Sequence, residues 1–189
     1  AVDGAAPVEA ARPLGAFEVG GSPSLKQVLM LGAFVALGPL TIDLYLPGLP
    51  NIEADLGTTA SAVQLTLTGT LIGLAIGQLV VGPLSDALGR RRPMFYGTAV
   101  HVVASVLCFL APSIAFLGAA RVLQGAGVAA TAVVTMAVVR DLYSGRAAAL
   151  LISRLMLVLG VAPILAPTLG GFVLAVTDWR GLFAVLGAV

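Results

Sequence analysis

What most constrains this chain is an alternation. From Leu25 onward, apolar stretches long enough to cross a bilayer are separated by short breaks rich in proline, glycine or arginine. A membrane-spanning helix needs about 20 predominantly apolar residues. Such stretches fall at about 25–46, 62–84, 94–110, 116–139 and 150–176, and a sixth begins at 182 and reaches 189. The first is closed by Pro47-Gly48 and Pro50, the third by Pro112. Ser61, with Gln64 three residues on, has the form of a capping box at the start of the second. Barrel strands of about 10 alternating residues do not fit such long continuous runs. The expectation is an all-α integral membrane bundle whose short loops leave no room for an extramembrane catalytic domain.

Composition narrows the partners. Hydrophobic residues are 59% of the chain, and glycine lifts the share to about 70%, against about 45–50% in soluble domains. Charged residues are 10%, where a soluble domain carries about 25%. A net charge of +1 supplies no basic field for nucleic acid. The single cysteine, Cys108, excludes an internal disulfide and a cysteine metal cluster. Residues 1–24 differ in kind: Pro7, Pro13 and Pro23 are interspersed with Asp3, Glu9, Arg12 and Glu18, with no apolar run of signal-peptide length. They are expected to form a flexible cytoplasmic tail, and the missing initial Met to mark a processed or partial chain.

Lys and Arg sort to one side of the bundle. Arg12 and Lys26 precede the first span, Arg90, Arg91 and Arg92 lie between the second and third, and Arg140 and Arg146 between the fourth and fifth. The opposite connections, 48–61 and 111–115, hold none, and Arg180 alone breaks the pattern, beside Trp179. By the positive-inside rule the N-terminus is cytoplasmic. Tyr45, Tyr96 and Trp179, near span ends, are expected in the interfacial aromatic belt.

Ionisable groups inside a membrane are costly unless paired or hydrated, and so are candidates for function. Asp43 is three residues from Leu46, about 5 Å inside the outer end of the first span; Arg121, eight residues after Ser113, lies about 12 Å in. At these depths they can face one another, and protonation of Asp43 would release Arg121. The alternative is an interfacial Asp43 and an Arg121 that snorkels or caps a carbonyl. His101 suits either a proton relay or a hydrogen bond to a neighbouring helix. Small residues form two stripes: Gly69, Gly73 and Gly77 in the second span, and Ala162, Ala166 and Gly170 in the fifth, beside Pro163 and Pro167. Such stripes let helices approach closely, and the prolines loosen the fifth helix.

The break between the second and third spans reads Gly82-Pro83-Leu84-Ser85-Asp86-Ala87-Leu88-Gly89-Arg90-Arg91-Arg92. It resembles the cytoplasmic loop motif of the major facilitator superfamily, with Ala87 where that family usually has a basic residue. The Arg121-Val122-Leu123-Gln124-Gly125 run is similar to the family's span-four motif, which implies a proton-transfer role for Arg121 and gives Gln124 its place in the site. The fifth span's Ala162-Pro163-Ile164-Leu165-Ala166-Pro167-Thr168-Leu169-Gly170-Gly171 resembles the antiporter motif of exporters, with alanines at its two leading glycines. Asp43-Leu44-Tyr45-Leu46-Pro47-Gly48, with Trp179-Arg180, resembles the Bcr/CflA branch of drug:proton antiporters. That resemblance implies a proton or cationic-drug site at Asp43, and a pairing of Arg140-Asp141 with the loop motif.

Together these imply the N-terminal six-helix half of a proton-driven multidrug exporter, with its sixth helix incomplete and a C-terminal half expected as partner. Asp86, Arg90 and Asp141 would act as a cytoplasmic latch, and the stripe of the fifth span as a seal against the other half. The substrate would be a small amphipathic or cationic molecule exchanged for protons across the inner membrane, with no cofactor, no metal and no enzymatic activity; no phosphate-binding loop for ATP is present. The rivals are an exporter of a sugar or metabolite, and a non-transporting membrane fragment or scaffold.

Overall fold

The structure, a computed structural model, describes residues 23–189; the expected N-terminal tail lies outside the described residues except for Pro23 and Ser24. The described residues form helices joined by short turns, with no strand among them. Helix α1 (Leu25–Asp43) starts on a full capping box: the Ser24 side chain accepts from the Gln27 amide, and the Gln27 side chain accepts from the Ser24 amide. After Asp43 the chain passes through a single 3-10 turn, Leu46–Gly48, into the short helix α2 (Leu49–Asp55). Pro47 and Pro50 therefore open new helical turns, where a missing N–H costs nothing, as well as closing α1.

Four long helices follow: α3 (Ala60–Leu88), α4 (Arg91–Phe109), α5 (Ile114–Leu142) and α6 (Gly145–Val176). The last element is the nine-residue α7 (Arg180–Ala188). Each long helix extends beyond the apolar run read from the sequence, because backbone hydrogen bonding continues into the polar zone where hydropathy has already fallen. The cap of α3 corrects the expected Ser61–Gln64 box. Thr59 is the extended capping residue, its hydroxyl accepting from Ala62, and Ser61 already lies within the helix.

Helix α5 is the centre of the bundle. Its Gly125 lies so close to α3 that a methyl group there would run into the Thr70 carbonyl, and Gly73 of α3 meets the Val122 carbonyl in return. On another side Gly127 lies against the backbone of His101 in α4. Backbone-to-backbone approach of this kind is how membrane helices gain packing without a hydrophobic driving force between them. Helix α6 instead packs along α1 and leaves most of its surface open, with Ile164 72% and Phe172 69% exposed. Large apolar side chains facing outward all round the bundle are the mark of a protein solvated by lipid rather than water. Five helical segments are long and apolar enough to cross a membrane. The connections α1–α3, α4–α5 and α6–α7 gather at one end, and α3–α4 and α5–α6, with their arginines, at the other, here called the basic end.

Candidate functional site

Arg121 is completely buried near the middle of the bundle. Its Nη1 donates to the Thr41 carbonyl at 2.9 Å and to Gln124 Oε1 at 2.6 Å. Helix α1 ends at Asp43; in its last turn the Leu40 carbonyl still accepts from the Leu44 amide, and Arg121 takes the carbonyl of Thr41. Gln124 passes the chain of bonds onward: its Nε2 donates to Ser105 Oγ at 2.8 Å, and Ser105 donates to the His101 carbonyl at 2.8 Å. The His101 ring lies 3.1 Å from the Leu186 carbonyl through Nε2. One buried polar chain thus joins α1, α5, α4 and α7. Three side-chain atoms of the chain itself, Arg121 Nε, Arg121 Nη2 and His101 Nδ1, are left without a hydrogen-bond partner.

The expected facing of Asp43 and Arg121 is not formed as an ion pair in this structure. Among the described residues no carboxylate lies within 4.0 Å of Arg121. Asp43 itself is half-buried at the end of α1, two residues beyond the carbonyl that Arg121 holds. The backbone of the helix end, rather than the side chain after it, supplies the acceptor.

At the basic end, one guanidinium gathers two carboxylates. Arg90 Nε donates to Asp141 Oδ2 at 2.7 Å, and its Nη1 donates to Ser85 Oγ at 2.9 Å and to Asp86 Oδ1. Asp86 sits in the last turn of α3, where the helix dipole opposes a negative charge, and Arg90 four residues later compensates it. Gly89 makes the reversal between them, at φ +79°. Hydrogen bonds to Asp141 and then to Asp86 push the already high pKa of Arg90 further up. Arg91 and Arg140 are exposed and join no ion pair with a described residue. Gly82 has open space beside it and lines a cleft of about 510 Å³ between α3 and α5, with Gln78, Arg140 and Asp141 on its walls.

The stripe of α6 faces a different way from the one expected. Ala162, Ala166 and Gly170 are buried inside this bundle, and Gly170 packs on the Leu44 carbonyl and Pro47 of the α1 turn. They cannot also be a seal against another half. The exposed residues of that motif are Pro163, Ile164, Leu165, Thr168, Leu169 and Gly171, with Pro167 partly so, and Gly171 has nothing within 4 Å of an added methyl.

Two residues assigned to an aromatic belt are core instead: Tyr45 is 0% and Trp179 1% exposed, while Tyr96 is 61% exposed. Trp179 Nε1 donates to Asp55 Oδ2 at 3.0 Å, and Arg180 Nη1 reaches the same oxygen at 2.8 Å while its guanidinium lies 4.2 Å over the Trp179 ring. This clasp ties α2 to the start of α7 and neutralises the one arginine that breaks the charge pattern. Sequence reasoning missed Asp55; no motif marks it, and its partners are 124 and 125 residues away.

A bundle of bilayer-length helices with outward-facing apolar sides and a buried central arginine defines a polytopic membrane protein. The description Major Facilitator Superfamily matches residues 29–189, and the chain belongs to that family of transporters. It is 45% identical over 168 residues, 88% of this chain, to the uncharacterized MFS-type transporter YdgK of Bacillus subtilis strain 168. It is 44% identical over 162 residues, 85% of this chain, to a chloramphenicol resistance protein of Pseudomonas aeruginosa. The multidrug resistance protein MdtL of Escherichia coli O45:K1 is 37% identical over 151 residues, 80% of this chain. The matches cover 42%, 38% and 39% of these relatives, so the chain spans about two fifths of their length.

Proposed function

We propose that this chain is the N-terminal half of a proton-coupled multidrug efflux transporter that works by alternating access. It exports small amphipathic or cationic compounds across the inner membrane, with the N-terminus in the cytoplasm and the basic end facing inward. The observation that carries this reading is the state of Arg121: wholly buried, without a carboxylate, and with Nε and Nη2 unspent. A charged group held in that way can change partner at small geometric cost. Asp43, two residues past the carbonyl Arg121 now holds, is the partner proposed. Ionised, it competes with the Thr41 carbonyl for the guanidinium; protonated, it lets go, so proton uptake and the position of α1 against α5 become linked. Gln124 holds the arginine in place during the exchange.

The names of the Pseudomonas and Escherichia relatives, chloramphenicol and multidrug resistance, support drugs as substrates over sugars or metabolites. Asp86, Arg90 and Asp141 form the inward-side latch, with Arg91 and Arg140 free for the second half. Pro163, Pro167 and Gly171 present the contact surface that Ala162, Ala166 and Gly170 cannot. An apolar groove of about 690 Å³ between α1, α4 and α5 lies beyond α7 toward the basic end, and the remainder of the sixth helix is proposed to fill it. The proton gradient supplies the energy, with no cofactor.

The test uses the full-length transporter in lipid vesicles. An imposed proton gradient is expected to drive accumulation of tetraphenylphosphonium, and Asp43→Asn and Arg121→Ala to abolish it. Wild-type accumulation in both variants overturns the site; accumulation that persists without a gradient overturns proton coupling.

A further inference from the structure

A buried cation without a carboxylate needs another source of stabilisation, and the surroundings of Arg121 supply one. A guanidinium has five N–H groups. Both of those on Nη1 are used, by the Thr41 carbonyl and Gln124, while Nε and Nη2 have no hydrogen-bond partner. Aromatic faces lie there instead. The Arg121 Cζ is 4.4 Å from the centre of the Tyr45 ring and 5.8 Å from that of Phe183. Both rings are fully buried, and the attraction of a cation to a ring face is strongest where water does not compete.

The rings are held from several sides. The Thr66 hydroxyl gives its proton to the Val63 carbonyl at 2.6 Å, so in its 2.8 Å contact with Tyr45 the tyrosine is the donor. Phe183 stands 5.6 Å from the Tyr45 ring and is met edge-on by Trp179 at 6.1 Å and 89°. Tyr45 comes from the turn after α1, Thr66 from α3 and Phe183 from α7, so three elements build a half-cage around a side chain of α5.

We infer that Tyr45 is a positioning residue for proton coupling: its ring, with Phe183, stabilises the Arg121 charge in place of a carboxylate and leaves Nε and Nη2 free to take one. This rests on the reading of Arg121 as the coupling residue. The physical distinction lies in directionality. A resident carboxylate would consume the arginine's donors in a fork of directional bonds, and any second carboxylate would then have to displace it. A ring face attracts the charge without claiming a particular N–H, so an incoming carboxylate finds Nε and Nη2 unclaimed and has no resident carboxylate to displace. The hydroxyl of Tyr45 only aims the ring, through Thr66, which separates its role from that of the ring itself.

The experiment compares Tyr45→Leu, Tyr45→Phe and Phe183→Leu with Arg121→Ala in vesicles holding the full-length transporter. Two quantities are read for each: gradient-driven accumulation of tetraphenylphosphonium, and its exchange across the membrane at equal pH. Tyr45→Leu is expected to lower accumulation by about tenfold or more while exchange stays within about twofold of wild type. Tyr45→Phe, which keeps the ring, is expected to stay within about threefold in both, and Phe183→Leu to fall between. Wild-type accumulation by Tyr45→Leu, with Arg121→Ala inactive, overturns the inference and leaves the Arg121 reading standing. Tyr45→Phe as defective as Tyr45→Leu overturns it too, because the hydroxyl would then be the active part. Should Tyr45→Leu lose exchange as well, Phe183→Leu decides: selective loss of accumulation supports the inference, and wild-type behaviour overturns it. Wild-type accumulation by Arg121→Ala overturns the underlying reading.

Discussion

Arg90 and Arg121 carry the same guanidinium into opposite surroundings. Arg90 is part-exposed at the basic end and holds two carboxylates, Asp86 and Asp141. Arg121 is fully buried and holds none, only a backbone carbonyl, a glutamine and two ring faces. The arginine that needs counterions least has them, and the one that needs them most does not. In water a charge can afford pairing that contributes little; in the bundle interior an unpaired charge is tolerated only where something else is gained. On the proposed reading, the difference separates a clip between helices from a group kept available to change partner.

The comparison breaks first at Arg121. Arg121→Met replaces the buried charge by an apolar side chain of comparable reach, which removes the cost of burying an unpaired charge but leaves the Gln124 and Thr41 oxygens without their donor. These effects oppose one another, so the thermal midpoint of the full-length protein in detergent is expected to change little, while gradient-driven accumulation falls by about 100-fold, the scale of losing a charged hydrogen bond worth ~3 kcal/mol. A variant that unfolds earlier and still couples would make Arg121 structural and erase the contrast with Arg90.

Next in size is the packing that sets the buried chain in place. Gly125→Leu drives a side chain into the Thr70 carbonyl of α3, and is expected to cost about 3 kcal/mol or more. Reduced recovery of monodisperse protein and a lowered thermal midpoint check this. A normal midpoint would mean that α3 and α5 do not meet at that glycine.

A smaller effect is expected at the exposed cluster. Asp141→Asn removes one of two carboxylates from Arg90, lowering the thermal midpoint slightly at 0.1 M salt. Most of that loss should vanish at 1 M, where the Debye length shrinks from about 10 to about 3 Å. A large, salt-independent loss would place this cluster in the same class as Arg121. Smallest is Gly171→Ala, whose added methyl meets nothing in this half. Its stability is expected to stay within about 1 kcal/mol of the parent, helix propensity favouring alanine. Gly170→Ala, one residue earlier, collides with the Leu44 carbonyl and serves as the destabilised control.

The candidate site was legible in unequal parts. Asp86 and Arg90 could be paired from sequence because they are four residues apart across a helix end and a tight glycine turn, where local geometry leaves few choices. Arg121 stood out because charge is rare in an apolar run. Its partners did not: Thr41 is 80 residues away and contributes a carbonyl, which any residue possesses. Tyr45 and Trp179 were misplaced for a related reason. Position near a span end suggests an interfacial aromatic, but whether the ring points to lipid or inward depends on which helix stands beside it. The alanine and glycine stripe of α6 was read correctly as a contact face and assigned the wrong neighbour.

By itself the sequence determined that this chain crosses a membrane as helices, where those helices break, and which charges lie inside. Those follow from transfer free energies and turn chemistry, which act over a few residues at a time. Tertiary structure alone decided that Arg121 meets a helix end and two rings instead of Asp43. It also decided that Asp55 clasps Trp179 and Arg180, and that α6 turns its small residues toward α1. A periodic pattern identifies a face, and only the packing of whole helices, settled by backbone approach at residues such as Gly73, Gly125 and Gly170, identifies what lies against it.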